Sequence, residues 1–220
     1  MKDTYKTNVK VNNVVPARDA AVVMVEAEEP IEFHTSVIVG LDMQKKELDS
    51  LPNVWSEDGL VESAITSGLY VKAYKDEFEQ LDTFTKNIAE KYELQGLNQT
   101  TIDKTHTSGY EKGCYFVPIG GQSTAVYDAY IKNPNISASE IRNLFLKVDS
   151  KFKDVNIVLH FFNTEKGVPK QEKAEKIAED VRNESGLPKG IYNVTLYDNF
   201  IVNRVGQPNG DNVNVENIKK

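Results

Sequence analysis

The sequence predicts an α+β fold, in which an antiparallel N-terminal meander packs on two helices and a second, mixed α/β half ends in a β-hairpin. Three observations predict this class. Strand-like alternation of apolar residues opens the chain, two amphipathic helical patterns follow, and a dense apolar run with a later helix and paired strands fills the rest. Because the first strands and helices are segregated, the pattern favours α+β over a regularly alternating α/β fold.

The meander is predicted from three strand-like runs. They read NVKVNNVV (residues 8–15), AAVVMVEAE (20–28) and IEFHTSVIVGLD (31–42), and turn residues such as Pro16 and Pro30 separate them. Short connections between such runs favour antiparallel neighbours.

Two amphipathic helices are predicted next, at about 56–74 and 75–92. Ser56 is the expected N-cap of the first, since its hydroxyl could accept a hydrogen bond from a free backbone N–H. The second repeats apolar residues at helical spacing from Phe78 to Tyr92 and carries lysines in its last turn.

A polar, turn-rich stretch from Glu93 to Lys112 marks the expected boundary between two halves. The predicted units are therefore 1–95, then 96–205, either separate from the first or continuous with it, and a polar, mobile tail at 206–220.

The second half is predicted to contribute its own sheet and helices. Its strands are expected at Cys114–Ile119, Val155–Phe162 and a hairpin at 190–202 that turns near Asp198 and Asn199. The spacing of Ser137 and Glu140 predicts a capping box in front of a helix.

The composition of the chain limits the classes of partner that can be expected. The net charge of −7 argues against a nucleic-acid partner, because phosphate backbones require a basic surface. A single cysteine excludes an internal disulfide framework, and no run approaches the roughly 20 apolar residues of a membrane span. A protein or small-molecule ligand remains the open class of partner. Contact with a membrane is expected only through a lipid anchor, which is expected to lie outside this chain.

The stretch GCYFVPIGGQ (113–122) contains the only cysteine. The catalytic interpretation makes Cys114 the nucleophile of a small hydrolase, with His34, His106 or His160 as its base. The candidate catalytic residues are then Cys114 and His160. A reactive thiolate needs an electropositive, accessible setting, whereas aromatic and aliphatic neighbours surround Cys114. The stretch therefore favours a buried strand segment without a catalytic role.

Glycines at the end of the same stretch raise the alternative of an anion site. Gly120 and Gly121 precede a helix that Ser123 could cap, and helix N-termini after glycines can bind anions. The GxxxxGK[ST] pattern of a phosphate loop is absent, which favours a simple strand-to-helix turn. The three histidines share no HxH or HExxH spacing, so neither a metal site nor a cofactor is expected.

Several stretches taken together resemble a domain-of-unknown-function family of predicted surface lipoproteins from Gram-positive cocci. They are YKTNVKVNNVV with AAVVMVEAE, VWSEDGLVESAITSGLYVKAY, YDAYIKNP and GLPKGIYNVTLYDNFI, and the resemblance spans about Tyr5 to Val202. It implies an exported protein with a leader and a lipid-attachment cysteine ahead of the folded domain, and it implies no catalytic residues. Cys114 lies in mid-domain and cannot be the lipid-modified residue, so the leader is expected upstream of Met1.

The sequence thus favours a non-enzymatic surface protein, lipid-anchored and extracellular in its full-length form, that acts as a binding or interaction module. The alternative is the cysteine-dependent hydrolase that uses Cys114 with a histidine. The pKa of the thiol separates the two, because a catalytic cysteine requires a pKa below the ordinary value of about 8.5.

Overall fold

The architecture was taken from a computed structural model of the chain. The structure describes residues 1–42, 44–45, 47–48, 54–104, 107–120, 124–149, 151–199, 201–202, 207–208 and 210–220.

The first sheet is the predicted antiparallel meander. Its three long strands are neighbours in chain order, and a β-bulge interrupts the first pair between Val11 and Asn13. Two short strands pair with the third long strand. The elements are α1 (Lys2–Tyr5), β1 (Lys10–Ala17), β2 (Ala20–Ala27), β3 (Phe33–Asp42), β4 (Glu47–Leu48) and β5 (Val54–Trp55).

The two predicted helices are present as α2 (Leu60–Ala73) and α3 (Lys75–Lys91). The predicted cap is wrong, because α2 begins after Gly59 and not after Ser56. Gly59 has a φ of 76°, a left-handed backbone conformation that glycine adopts at little cost. A turn in front of the helix therefore delays its start by several residues.

The second sheet has the strand order β13-β10-β9-β8-β7, and β6 pairs with one end of β9. Strands β9 and β10 are parallel and α7 connects them, whereas the other pairs are antiparallel. The elements are β6 (Leu94–Gln95), α4 (Gln99–Ile102), β7 (Tyr110–Lys112), β8 (Tyr115–Val117), α5 (Thr124–Lys132), α6 (Ala138–Val148), β9 (Asn156–Asn163), α7 (Gln171–Asn183), β10 (Ile191–Tyr197), β11 (Ile201–Val202), β12 (Gln207–Pro208) and β13 (Asn212–Lys219).

Two predictions about the bounds of the C-terminal elements are wrong. The mixed half ends in antiparallel strands as predicted, but the pairing does not fall at 190–202, because β10 pairs with β13 while β11 pairs with β12. The tail expected to be mobile contains β13, which places Ile218 opposite Tyr192 and buries it. Val213, Val215 and Ile218 of this strand pack against the core, and this outweighs its polar composition.

Local signals in the second half are reproduced more closely. Strand β8 ends at Val117, directly before Pro118, which cannot donate a backbone hydrogen bond to a ladder. The capping box of α6 is confirmed: Ser137 accepts from the backbone N–H of Glu140, whose carboxylate accepts from the N–H of Ser137.

One continuous hydrophobic core extends through both halves, from Ala27 to Ile218. The phenol of Tyr70 in α2 donates a 2.6 Å hydrogen bond to the carbonyl of Lys189. Two backbone hydrogen bonds of 2.7 and 2.9 Å join His34 of β3 to Gly109, just ahead of β7. None of the helices in the described ranges has both the length and the apolar character needed to span a membrane.

Candidate functional site

Cys114 lies immediately before β8 and is only partly accessible. Its Sγ packs against Gly96, where an added Cβ would lie 2.6 Å from the sulfur. Burial, together with the negative charge of Asp82, raises the pKa of the Cys114 thiol to about 11. The thiol is therefore neutral near pH 7, the opposite of what a nucleophilic cysteine requires.

His160 is fastened to the backbone beside Cys114 and does not bond to its thiol. Its backbone N–H donates to the carbonyl of Cys114 at 2.9 Å, and its Nε2 lies 3.1 Å from the carbonyl oxygen of Gly113. Burial lowers the pKa of His160 to about 4, so the imidazole is neutral and donates to that carbonyl. A side chain held in this way fixes the strand and does not act as a base toward sulfur.

The other two histidines of the hydrolase alternative are elsewhere or outside the described residues. His34 lies on β3, with its Nε2 3.3 Å from a carboxylate oxygen of Glu26. His106 lies outside the described residues. Within the described part of the chain, no hydrogen bond connects Cys114 to a histidine side chain.

Of the three residues proposed for anion binding, the structure describes Gly120, whereas Gly121 and Ser123 lie outside the described residues. The backbone N–H of Gly120 donates to the carbonyl of Asp154 at 3.3 Å, so this donor is already engaged. Gly120 lines a cleft between the first turns of α2 and α5 with a volume of about 360 Å³.

The cleft is lined by both apolar surface and a small set of polar side chains. Glu62, Ser63 and Thr66 come from α2, and Tyr127 and Asp128 come from α5. Two carboxylates in one cleft disfavour an anionic ligand, since like charges repel. This finding also argues against anion binding at Gly120.

The polar groups of the cleft are unequally engaged. The hydroxyl of Ser63 donates to the carbonyl of Ile119, and that of Thr66 donates to the carbonyl of Glu62 at 2.8 Å. Glu62 accepts a long hydrogen bond of 3.5 Å from Tyr5 through Oε1. Its other oxygen, Oε2, is buried and has no hydrogen-bond partner.

Tyr127 adds a neutral phenol and an aromatic ring to the same cleft. Burial raises the pKa of Tyr127 to about 12, and the negative charge of Glu62 adds to the shift. The hydroxyls of Ser63 and Thr66 already donate to backbone carbonyls. The polar groups left to a ligand are therefore chiefly acceptors, the carboxylates of Glu62 and Asp128. The arrangement suits a ligand that brings hydrogen-bond donors, above all a positively charged one.

Comparison with known families places the chain. Residues 1–220, the whole sequence, match the family described as "Protein of unknown function (DUF1672)". The chain belongs to the DUF1672 family. The resemblance to a domain-of-unknown-function family is thereby confirmed, and no curated protein matches the DUF1672 chain.

A solved DUF1672 structure shows the same fold. It is a crystal structure of a DUF1672 family protein from Staphylococcus aureus subsp. aureus Mu50, similar with a TM-score of 0.76 and 23% sequence identity. The match covers 98% of this chain and 82% of the other. At this level of identity the likeness supports the fold alone.

Sequence reasoning singled out Gly120 but missed the acidic residues of the cleft. Glu62 stands in the first turn of a helix, where an acidic side chain is expected simply because it suits the helix dipole. Nothing in the local pattern shows that Asp128, far along the chain, lines the same cleft. A tyrosine and an aspartate side by side in α5 are the only local signal, and such pairs are common on solvated helices.

Proposed function

We propose that this DUF1672 chain is the folded domain of an exported, lipid-anchored surface protein from a Gram-positive coccus and acts as a non-enzymatic binding module. The resemblance to predicted surface lipoproteins supports the proposed localisation. The raised pKa of the Cys114 thiol and the backbone bonding of His160 support the absence of cysteine chemistry. The hydrolase alternative finds no comparable support.

The proposed binding site is the cleft between α2 and α5, and the proposed ligand carries an ammonium group, such as the side chain of lysine in a peptide. The single observation that carries this is the buried, unpartnered Oε2 of Glu62. Leaving a buried carboxylate oxygen without a partner costs free energy, which a bound cation would recover. The ring of Tyr127 can additionally contact the cation or its aliphatic stem.

Calorimetric titration of two matched tripeptides tests the ligand class. One has an acetylated and amidated Gly-Lys-Gly sequence, and the other replaces lysine by norleucine, which keeps the stem and removes the charge. We expect the lysine peptide to bind and the norleucine peptide to bind at least about tenfold more weakly, the range of one charge-assisted hydrogen bond. Equal affinity for both peptides, or no binding of either, contradicts the proposed ligand.

The matched variants are Glu62→Gln and Glu179→Gln. Both remove one negative charge, but Glu179 is exposed on α7. We expect Glu62→Gln to abolish the preference for lysine over norleucine and Glu179→Gln to preserve it. If both variants bind the lysine peptide as the wild type does, the cleft is not the site.

The proposed localisation is tested separately. We expect the genomic sequence upstream of Met1 to encode a leader with a lipid-attachment cysteine, and we expect the protein in the membrane fraction of the cells. A ribosome-binding site placed for Met1, together with recovery of the protein in the cytosolic fraction, defeats this part of the proposal.

A further inference from the structure

A cluster of polar side chains lies on the first sheet, away from the residues of the cleft. Glu26 of β2 and His34 of β3 are directly opposed across the two strands. Asp103, which directly follows α4, approaches them so that one ligand atom from each of the three lies within 4.8 Å of the others. Two adjacent strands and one residue far along the chain thus bring one imidazole and two carboxylates together.

Two members of the cluster are buried, and the side chain of one of them has no hydrogen-bond partner among the described residues. Glu26 is 8% exposed and His34 is 9% exposed. Both ring nitrogens of His34 are buried and lack a hydrogen-bond partner in the described structure, although its Nε2 lies 3.3 Å from Oε2 of Glu26. A buried imidazole that faces two carboxylates, with neither ring nitrogen committed to a hydrogen bond, can serve as a metal ligand.

A β-bulge directs a fourth side chain at the same point. Asn12 is the residue that the shift in register between Val11 and Asn13 leaves unpaired. Bulges of this kind redirect a side chain. The Nδ2 of Asn12 lies 2.9 Å from Oε2 of Glu26 and 3.5 Å from Oδ1 of Asp103, and its Oδ1 is buried without a partner. A half-turn of this amide would exchange the Nδ2 hydrogen bonds for Oδ1, and three oxygens facing one point are stable only with a cation between them.

We propose that Glu26, His34 and Asp103, with Asn12 as a fourth ligand, bind a divalent transition-metal ion, with Zn²⁺ as the best-fitting candidate. The 3.3 Å separation between Nε2 of His34 and Oε2 of Glu26 matches the edge of a zinc tetrahedron, which is about 3.4 Å for metal–ligand bonds near 2.1 Å. The sequence predicted no metal site because the ligands share no local motif.

The ligand set decides the class of metal. Imidazole nitrogen suits zinc, copper, iron and nickel, whereas Mg²⁺ and Ca²⁺ prefer oxygen ligands alone. Lys10 donates a 2.8 Å hydrogen bond to Oε1 of Glu26, whereas Oε2 is the oxygen that faces His34 and Asn12. Lys10 can therefore remain as an outer partner that orients the carboxylate.

The test is a calorimetric titration of chelator-treated, folded protein with ZnCl₂, with MgCl₂ as the contrast. We expect one equivalent of Zn²⁺ to bind and Mg²⁺ to bind far more weakly. Titration with CoCl₂ in place of zinc should give the visible absorption of a low-symmetry nitrogen and oxygen site. Absence of saturable Zn²⁺ binding overturns the proposal.

Variants separate this site from adventitious binding to surface acids. His34→Gln and Asp103→Asn should each lower the affinity for Zn²⁺ at least about tenfold, while Glu28→Gln, an exposed acid near the same strands, should leave it unchanged. Asp103 is only half-buried, so its variant stays informative if His34→Gln fails to fold. Equal zinc affinity in wild type and Asp103→Asn would mean that the cluster is only an ion-pair network. The peptide and zinc tests use different residues, so failure of one leaves the other standing.

Discussion

At the residue scale, the single cysteine is inert because its surroundings suppress the thiolate. Burial and the charge of Asp82 raise the pKa of Cys114 to about 11. We therefore expect alkylation of the folded protein by iodoacetamide to show a midpoint near pH 11 and a low rate at neutral pH. In denaturant the midpoint should fall to about 8.5, the ordinary value for cysteine.

The measurement has a built-in control. Since Cys114 is the only cysteine, Cys114→Ser must abolish labelling altogether. A midpoint below the ordinary value in the folded protein would contradict the prediction and return the hydrolase alternative to consideration.

His160 makes the stability of the fold depend on pH in the acidic range, whereas Cys114 titrates in the basic range. Its folded pKa of about 4 lies below the unfolded value of about 6.5, so the unfolded chain binds more protons between these values. Stability should therefore fall as the pH is lowered through this window, by about 2 kcal/mol between about pH 7.5 and about pH 5. Urea unfolding followed by circular dichroism measures the change.

The matched variant for this effect is His160→Asn, which removes the titrating group and keeps an amide that can donate to the carbonyl of Gly113. We expect a flatter dependence of stability on pH above about pH 5, where the carboxylates have not begun to titrate. An unchanged slope would show that another group is responsible.

At the element scale, periodic patterns predicted the long elements and failed for the short or polar ones. The meander and the two helices follow from apolar spacing alone. Strand β7 is three residues long, and five of the eight residues of β13 are exposed, so neither shows a strong period. Tertiary packing against β10 and α7 decides the state of β13, and no local pattern reports that.

The correction for β13 has a measurable consequence. Ile218 is 3% exposed, so Ile218→Ala should destabilise the protein by about 3 kcal/mol through lost burial and a residual cavity. Asn212→Ala, at an exposed position of the same strand, should change stability by less than about 0.5 kcal/mol. Urea midpoints of the two variants provide the comparison, and equal midpoints would support the original prediction of a mobile tail.

The candidate sites lie beyond what periodicity can predict. Glu62 and Asp128 meet in the cleft although 65 residues separate them. Glu26, His34 and Asp103 converge only once two strands pair and a short helix packs beside them. Sequence reasoning could exclude a local metal or phosphate motif, but the convergence itself depends on tertiary structure.

At the scale of the whole molecule, the two halves depend on one another. The buried residues of α2 belong to the same core as β9 and β10. We expect a fragment of residues 1–95 to lack cooperative thermal unfolding and to bind a hydrophobic dye, because the face of α2 that packs in the core would be exposed. A cooperative transition in that fragment, followed by calorimetry, would show that the first half folds alone.

The hydrogen bond between Tyr70 and Lys189 also bears on the order in which the chain can fold. It joins groups 119 residues apart, and chains that rely on such distant contacts fold slowly because a long loop must close first. Synthesis proceeds at roughly 5–20 residues per second, so the ribosome completes α2 at least several seconds before it adds Lys189. During that delay the apolar face of α2 is open to chaperones and to other nascent chains, and the last strands to be made complete the structure.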